Sequence, residues 1–561
     1  MLDPVKNPIG FGASDFIELT IAVLLMALVL AWRPFIEPYG RRFSLKTGWA
    51  MLALAILPVA LRLALLARHP VPSPDIYDEF GHLFVADTLR HFRLANPTHA
   101  LHQFFETFFI LQEPTYSSIY PIGQGVMLAI GRAISGYPWV GVLLSTAVFA
   151  ALCYWMLRGW TTPAWALAGG ILAVIEFGPL SQWMNSYWGG SLAAAAGCLV
   201  FGALPRLVER VRTIDALALG GGLAIHLLTR PYESVFLLIS VLLFLILSVK
   251  KVLRKLPIVI FAVIPAIGIT LLHNHSVTGN WTTLPYQLSQ YQYGVPAALT
   301  FQANPVPHRE LTPQQQLEYR AQMAFREGDR ETIQSYLLRL EYRVRFYRFF
   351  FLAPLFLAIP AFCFAAIRNF RYAWVLLTLL LFALGINFFP AFQLHYLGAV
   401  TSLFVLISVA GLQQIGSWSP ETARLILFLC AVHFILWYGL HLFDQKDFAL
   451  AMMRYETWDS INHRNPERRI FVNQKLAEIP GQLIVFVRYS PRHIFQEEWV
   501  YNEASLDSAR IIWARDLGPE KNDKLRALYP GRQVLLLEPD ARPPRLTTVD
   551  RTVRFDPRAP L

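Results

Sequence analysis

Apolar residues along this chain come in long runs separated by short polar stretches. A helix needs about 20 mostly apolar residues to cross a bilayer. Runs of that kind fall near 16–33, 47–67, 138–158, 163–180, 189–205, 213–229, 232–249, 256–273, 346–367, 371–388, 395–413 and 421–442. They predict about 12 transmembrane helices. The segment 122–136 (IGQGVMLAIGRAISG) is too short and glycine-rich to span, and predicts an interfacial or partly inserted helix.

Three stretches interrupt this pattern. Residues 68–137 gather acids, histidines, prolines and tyrosines. Residues 274–345 open with NHSVTGNWTTLPYQ and continue in polar sequence of helix-forming composition, which predicts helices resting on the membrane surface. In the tail, LIVFVRY (483–489), ARIIWARDL (509–517) and RQVLLLEP (532–539) read as strands, and KNDKLRALYP (521–530) as a helix. The expected fold is mainly α: a polytopic membrane domain over 1–445, a linker over 446–464, and a small extramembrane α/β domain over 465–561. The tail carries no glycine-rich phosphate loop and no nucleophile elbow.

Composition agrees with a membrane protein. Hydrophobic residues make up 55% and charged residues 16%, against about 25% charged in soluble chains, and the mean hydropathy is +0.40. The net charge of +11 comes from short basic clusters between the apolar runs, which fits the positive-inside rule and not a nucleic-acid partner. Arg33, Arg41, Arg42 and Lys46 follow the first run, Arg206, Arg210 and Arg212 the fifth, Lys250, Lys251, Arg254 and Lys255 the seventh, and Arg368 and Arg371 the ninth. With twelve spans all of these face the cytoplasm. Loops 68–137 and 274–345, the tail and both termini then lie on the external (periplasmic) side of a cell inner (plasma) membrane. No cleavable signal peptide is expected. The four cysteines (Cys153, Cys198, Cys363, Cys430) sit in apolar runs and support neither a disulfide framework nor a CxxC site.

Chemistry concentrates in the first loop. Asp75, Asp78 and Glu79 fall within five positions just beyond the second span. Carboxylates crowded at a low-dielectric boundary are poorly solvated, and at least one becomes a better base. Such a group serves as a general base or as part of a divalent metal site. A solvated loop, or an N-cap for EFGHLFVADTLRHF, is the alternative. Further on, LQEPTYSSIYPIGQG adds Glu113, Tyr120 and Gln124, with Pro121 fixing the chain as it enters a short helix. Glu113 is either a second carboxylate facing the first group, with Asp78 and Glu113 the pair that would take a metal, or an interfacial acid pointing to water. In TRPYES, Arg230 either grips a lipid phosphate bidentately or snorkels paired with Glu233. Charge at that depth is costly either way. SQWMNSYWGGS (181–191) offers Asn185 and Trp188 as a sugar-stacking platform with a hydrogen-bond partner, or as interface anchors. The stretch 278–287 reads the same way.

An acidic pair after a span, an amphipathic helix and a Tyr-Pro-x-Gly re-entry together resemble the GT-C superfamily of membrane glycosyltransferases. Its bacterial aminoarabinose transferases and protein O-mannosyltransferases are the relevant relatives. Asp78-Glu79 matches the family's acidic motif. Tyr120-Pro121-Ile122-Gly123 matches its (Tyr/Lys)-Pro-Pro-x stretch, with Ile122 replacing the second proline. The match is topological over about 68–445 and motif-level over about 75–125, and this chain has an additional span before the usual first one.

The resemblance implies an inverting transfer of a sugar from a polyprenyl-phosphate donor in the membrane lipid to a glycan, lipid or protein acceptor outside. Asp78, Glu79 and Asp75 are then the catalytic carboxylates. Glu113, Tyr120, Gln124, Asn185, Trp188, Arg230 and Glu233 are expected to contact substrate. His395-Tyr396 takes the place of an Arg-Tyr pair at a late span, or His395 is a satisfied interfacial histidine. No cofactor is implied beyond the divalent ion already considered. A flippase or transporter would instead show internal repeats and midplane charges, and neither is visible. A ligase or polymerase would use the same donor lipids, and an assembly protein would leave the acids inert.

Overall fold

The computed structural model describes residues 13–74, 76–324, 331–443, 461, 467–494 and 496–549. All twelve apolar runs contain helix. The first two form α1 (Ala13–Leu45) and α2 (Thr47–Ala64), and the first loop supplies α3 (Tyr77–Arg90) and α4 (Ile122–Ser135). Then follow α5 (Trp139–Leu157), α6 (Pro163–Phe177), α7 (Gly190–Arg210), α8 (Thr213–Thr229), α9 (Pro231–Leu245), α10 (Val249–Val252) and α11 (Leu256–Thr278). The second loop carries α12 (Pro285–Tyr293), α13 (Pro313–Ala324) and α14 (Ile333–Val344). The bundle closes with α15 (Ala358–Arg368), α16 (Phe370–Ile386), α17 (Thr401–Trp418) and α18 (Pro420–Leu442).

Among the described residues, six helices are long and apolar enough to cross a membrane, or seven if one bent pair counts as a span. Of the other expected spans, 163–180, 213–229, 232–249 and 371–388 form shorter apolar helices, and within the 33-residue α1 the apolar stretch is Ile17–Met26. The run 346–367 is not the straight helix expected: Ile333–Phe350 and Ala353–Arg368 meet at 112°. Pro354 stands at the start of the second part, where proline is tolerated but cannot donate to the turn before it.

Basic residues gather at one end of the bundle. Arg158 donates to Thr47 Oγ1 at 2.8 Å, Lys255 to Thr213 Oγ1 at 3.0 Å, and Arg371 pairs with Glu209 at 2.8 Å. Arg33 reaches Glu421 at 3.0 Å and thereby ties α1 to α18. The two long loops occupy the opposite end. Residues 122–135 form the expected short helix, with Val126, Ile130 and Ile134 exposed on one side and Gly123, Gln124 and Leu128 buried on the other.

The C-terminal unit begins with a helix, Glu467–Glu478, that the sequence reading missed. The three expected strands follow as Leu483–Val487, Ile511–Arg515 and Gln533–Glu538, joined by Arg545–Thr548. Leu483–Val487 lies in the middle, parallel to both neighbours, and the last strand adds antiparallel at the edge. Strands buried on both faces are apolar throughout. One face (Leu483, Val485, Val487, Trp513) is covered by Val472 and Leu476 of the first helix. The other (Ile484, Phe486, Ile512, Val534) packs on Phe84, Phe104, Phe105 and Ile110 of the first loop. The sheet therefore sits on that loop and shares a core with it. The linker expectation falls largely on 444–460 and 462–466, outside the described residues.

Candidate active site

The entry to the first loop is pinned from below. Arg62 of α2 is buried and donates to the carbonyls of His69 and Pro70 at 3.0 Å each and to Asn185 Oδ1 at 2.7 Å. Its guanidinium stacks 4.8 Å from the Trp139 ring centre. Asn185 directs its own amide to Pro179 O and Ser181 O. The half-buried Asn185 side chain thus links α2 to the 179–185 turn.

With the entry fixed, α3 starts at Tyr77 with Asp78 and Glu79 in its first turn. Free amides and the helix dipole favour carboxylates there. Adjacent helical residues point about 100° apart, and the two acids separate accordingly. Asp78, half-buried, accepts a short hydrogen bond from the Tyr120 hydroxyl. Glu79, buried, accepts from the Tyr187 backbone N–H at 3.1 Å, while Tyr187 OH donates to Pro72 O at 2.8 Å. Asp75 lies outside the described residues.

The Tyr120 ring lies on Gly81, where a Cβ would stand 2.6 Å from a ring carbon. His82 stacks against the same ring at 4.3 Å. Burial, with Arg230 second, pushes the His82 imidazole down to about 3, so it is neutral. Burial raises the Tyr120 phenol, and the Asp78 carboxylate raises it further.

Several other expected residues converge here. Gln124 donates to Tyr187 O at 3.1 Å. Arg230 sits at the junction of α8 and α9, 3.3 Å from Trp188 O, 3.9 Å from Glu233 and 5.3 Å from the Tyr396 ring centre. Trp188 meets His395 edge to face at 4.8 Å, and His395 meets Tyr396 at 4.9 Å. The hydroxyl of Tyr286, on α12, donates to Ala297 O at 3.2 Å. Burial raises it first, and Tyr396, Glu233 and Asp78 all add to the rise.

Glu113 is placed differently. It is half-exposed and pairs with Arg309 at 3.3 Å and His102 at 3.9 Å, in a cluster with Glu106 and Tyr293. Glu318 of α13 accepts from the hydroxyl of Tyr77, the residue before Asp78, at 3.0 Å. No sequence signal marked Glu318, because it lies 241 residues from Tyr77. Among the described residues, no three His, Cys, Asp or Glu side chains are grouped to hold a metal ion. Glu113, offered with Asp78 as a possible metal pair, is ion-paired with Arg309.

The C-terminal unit completes one wall. Tyr501 stacks on Phe80 of α3 at 4.1 Å, and Arg469 covers the same ring at 4.6 Å. Asp87, near the end of α3, accepts from Ala504 N–H at 2.8 Å and from Arg132 of α4 at 3.0 Å.

No protein-family model matches the chain, and no curated protein sequence matches it. Solved structures do. ArnT from Cupriavidus metallidurans in the apo state aligns at 10% identity with a TM-score of 0.51, covering 88% of this chain and 93% of that one. The same protein bound to undecaprenyl phosphate aligns at 11% identity and 0.50, with the same coverage. The Archaeoglobus fulgidus oligosaccharyltransferase in complex with Zn and sulfate aligns at 11% identity and 0.44, covering 87% and 67%. At such identities the likeness is one of fold, and the chain shares the overall fold of that ArnT structure.

Proposed function

We propose that this protein is a membrane glycosyltransferase that moves a sugar from a polyprenyl-phosphate donor to a hydroxyl acceptor at the external membrane face. The observation that carries this reading is the half-buried Asp78 carboxylate, held by Tyr120 in the first turn of α3, together with the Arg230–Tyr396 pair at the junction of α8 and α9. A carboxylate of this kind removes a proton, and a guanidinium meets phosphate charge. Support also comes from a fold neighbour bound to undecaprenyl phosphate.

In the proposed step, the acceptor oxygen bonds to the sugar's anomeric carbon as its proton passes to Asp78. The bond from that carbon to the phosphate oxygen breaks, and its electron pair leaves with the polyprenyl phosphate, whose charge Arg230 faces. One displacement inverts the anomeric centre. Glu79 acts by holding the Tyr187 backbone, and Trp188, His395, Tyr396 and Tyr286 form the aromatic surroundings of the donor. On this reading the loop-bearing end and the C-terminal unit are periplasmic and the basic end cytoplasmic. Residues 1–445 are then the membrane domain, 446–464 a linker and 465–561 the external domain.

The test uses purified protein reconstituted with a panel of polyprenyl-phosphate sugars, following release of the carrier phosphate. Asp78→Asn lowers kcat by roughly 10²–10⁴-fold, the range of a lost general base, and Glu79→Gln lowers it less. Turnover indifferent to Asp78→Asn removes this carboxylate from the mechanism. Donor lipid that crosses the bilayer unchanged identifies a flippase instead.

A further inference from the structure

One stretch of the C-terminal unit, Glu498–Ala504, meets α3 at both of its ends. Tyr501 stacks on Phe80 with 4.1 Å between ring centres and 7° between planes. Three residues on, the Ala504 N–H donates to Asp87 Oδ2 at 2.8 Å. Between them Glu503 comes within 3.8 Å of Arg132 on α4. Seven helical steps from Phe80 to Asp87 advance about 10 Å, and three extended steps from Tyr501 to Ala504 cover about 10 Å as well. The strap and the helix therefore run side by side with matched lengths.

The strap's other side is fixed to the sheet. Asn502 donates to Trp513 O and accepts from Trp513 N–H, both at 2.8 Å, so its amide pairs with the edge strand Ile511–Arg515 as a neighbouring strand would. Val500 is buried with Leu483 and Val485, and Glu498 pairs with Arg515 at 2.6 Å. Arg469, from the helix Glu467–Glu478, donates to Glu498 O and lies 4.6 Å from the Phe80 ring centre and 4.7 Å from that of Trp499. Phe80 follows Asp78 and Glu79 in the first turn of α3. The ring that the strap grips thus belongs to the turn that aims Asp78.

Resting on the transferase reading above, we propose that the strap Glu498–Ala504 sets the position of this turn, with Tyr501 the positioning residue that acts on Asp78 through Phe80. Tyr501 itself touches neither donor nor acceptor. A displacement of about 1 Å near a reacting group lowers the rate by roughly 100-fold, so loss of the grip shows in kcat and not in KM.

Tyr501→Leu keeps apolar bulk but loses the flat ring, and Tyr501→Phe keeps the ring. Tyr501→Leu lowers kcat by roughly 10–100-fold with KM held, and Tyr501→Phe restores most of the rate. In an Asp78→Asn background Tyr501→Leu adds no further loss, because the group it positions is gone. Independently of turnover, hydrogen exchange at the amides of Phe80–Leu83 becomes roughly 2–10-fold faster in Tyr501→Leu, the contribution of one aromatic pair, while Leu483–Val487 keeps its protection. An unchanged kcat, an effect confined to KM, a Tyr501→Phe as slow as Tyr501→Leu, or an undiminished loss in the Asp78→Asn background overturns the proposal. So does unchanged exchange at Phe80–Leu83. Protection lost at Leu483–Val487 as well makes Tyr501 a stabiliser of the whole unit, and overturns it too. If Asp78→Asn leaves turnover unchanged, or the wild type consumes no donor, the functional reading falls instead, and the exchange comparison still decides whether Tyr501 holds the turn.

Discussion

The junction at Arg515 offers the sharpest test of how the C-terminal unit is built into the site. Its side chain is 5% exposed and that of Glu498 fully buried, with 2.6 Å between them. Arg515 also donates to Glu106 O at 2.5 Å and to Gln314 Oε1 at 2.7 Å, joining the sheet to the first loop and to α13. Glu498 accepts in addition from the Tyr489 hydroxyl and from the amides of Trp499 and Val500 at 3.0 and 3.1 Å. Arg515→Met leaves the Glu498 charge buried without its cation, a change that costs roughly 3–5 kcal/mol. At about 1.4 kcal/mol per factor of ten, opening of the unit becomes about 10²–10⁴ times more frequent. Hydrogen exchange at the amides of Leu483–Val487 and Ile511–Arg515 should lose protection by that factor. Arg515→Met/Glu498→Gln removes the unpaired charge but keeps an acceptor for the two amides, so it should recover part of the loss. A single variant that changes protection less than tenfold, or a double variant as damaging as the sum of its singles, refutes the reasoning.

Helix crossings and histidine burial give two further tests. At Gly131 a Cβ would lie 2.1 Å from the backbone nitrogen of Gly141, forcing α4 off α5, whereas at Gly268 on α11 nothing lies within 4 Å. Gly131→Ala should destabilise by roughly 1–3 kcal/mol or more and Gly268→Ala should not, read as melting temperature in detergent; equal effects contradict the packing argument. The unfolded imidazole of His82 takes up a proton near pH 6.5, but the folded one only near 3. The unfolded state therefore binds more protons across that window, and stability falls as pH drops through it. His82→Phe should flatten the wild-type loss of melting temperature between about pH 7 and about pH 4, and parallel slopes would exclude His82 as its source.

Much of the architecture was legible because it follows from local chemistry. Apolar runs, basic clusters and short apolar, β-branched segments are properties of neighbouring residues, and they located the helices, the basic end and the three parallel strands of the tail. The acidic turn at Asp78-Glu79 and the Tyr120-Pro121 re-entry were visible for the same reason. What the local pattern left open was which side chains meet. It did not separate Asp78 from Glu79, whose directions are set by helical rotation. It offered Glu113 as the partner of Asp78, although Arg309 holds Glu113 elsewhere. It read Asn185 as a sugar contact or an interface anchor, and did not show that Arg62 bonds to it.

The tail looked like a separate module, yet its sheet shares a core with the first loop. Glu318 and Arg515 had no mark in the sequence at all. The sequence by itself determined a helical membrane bundle with a charged loop and an α/β tail, because burial in lipid and the preference of short apolar, β-branched runs for strands act over a few residues. Only the tertiary structure decided which side chains meet, because contacts such as Tyr77–Glu318 and Arg515–Glu106 join segments hundreds of residues apart.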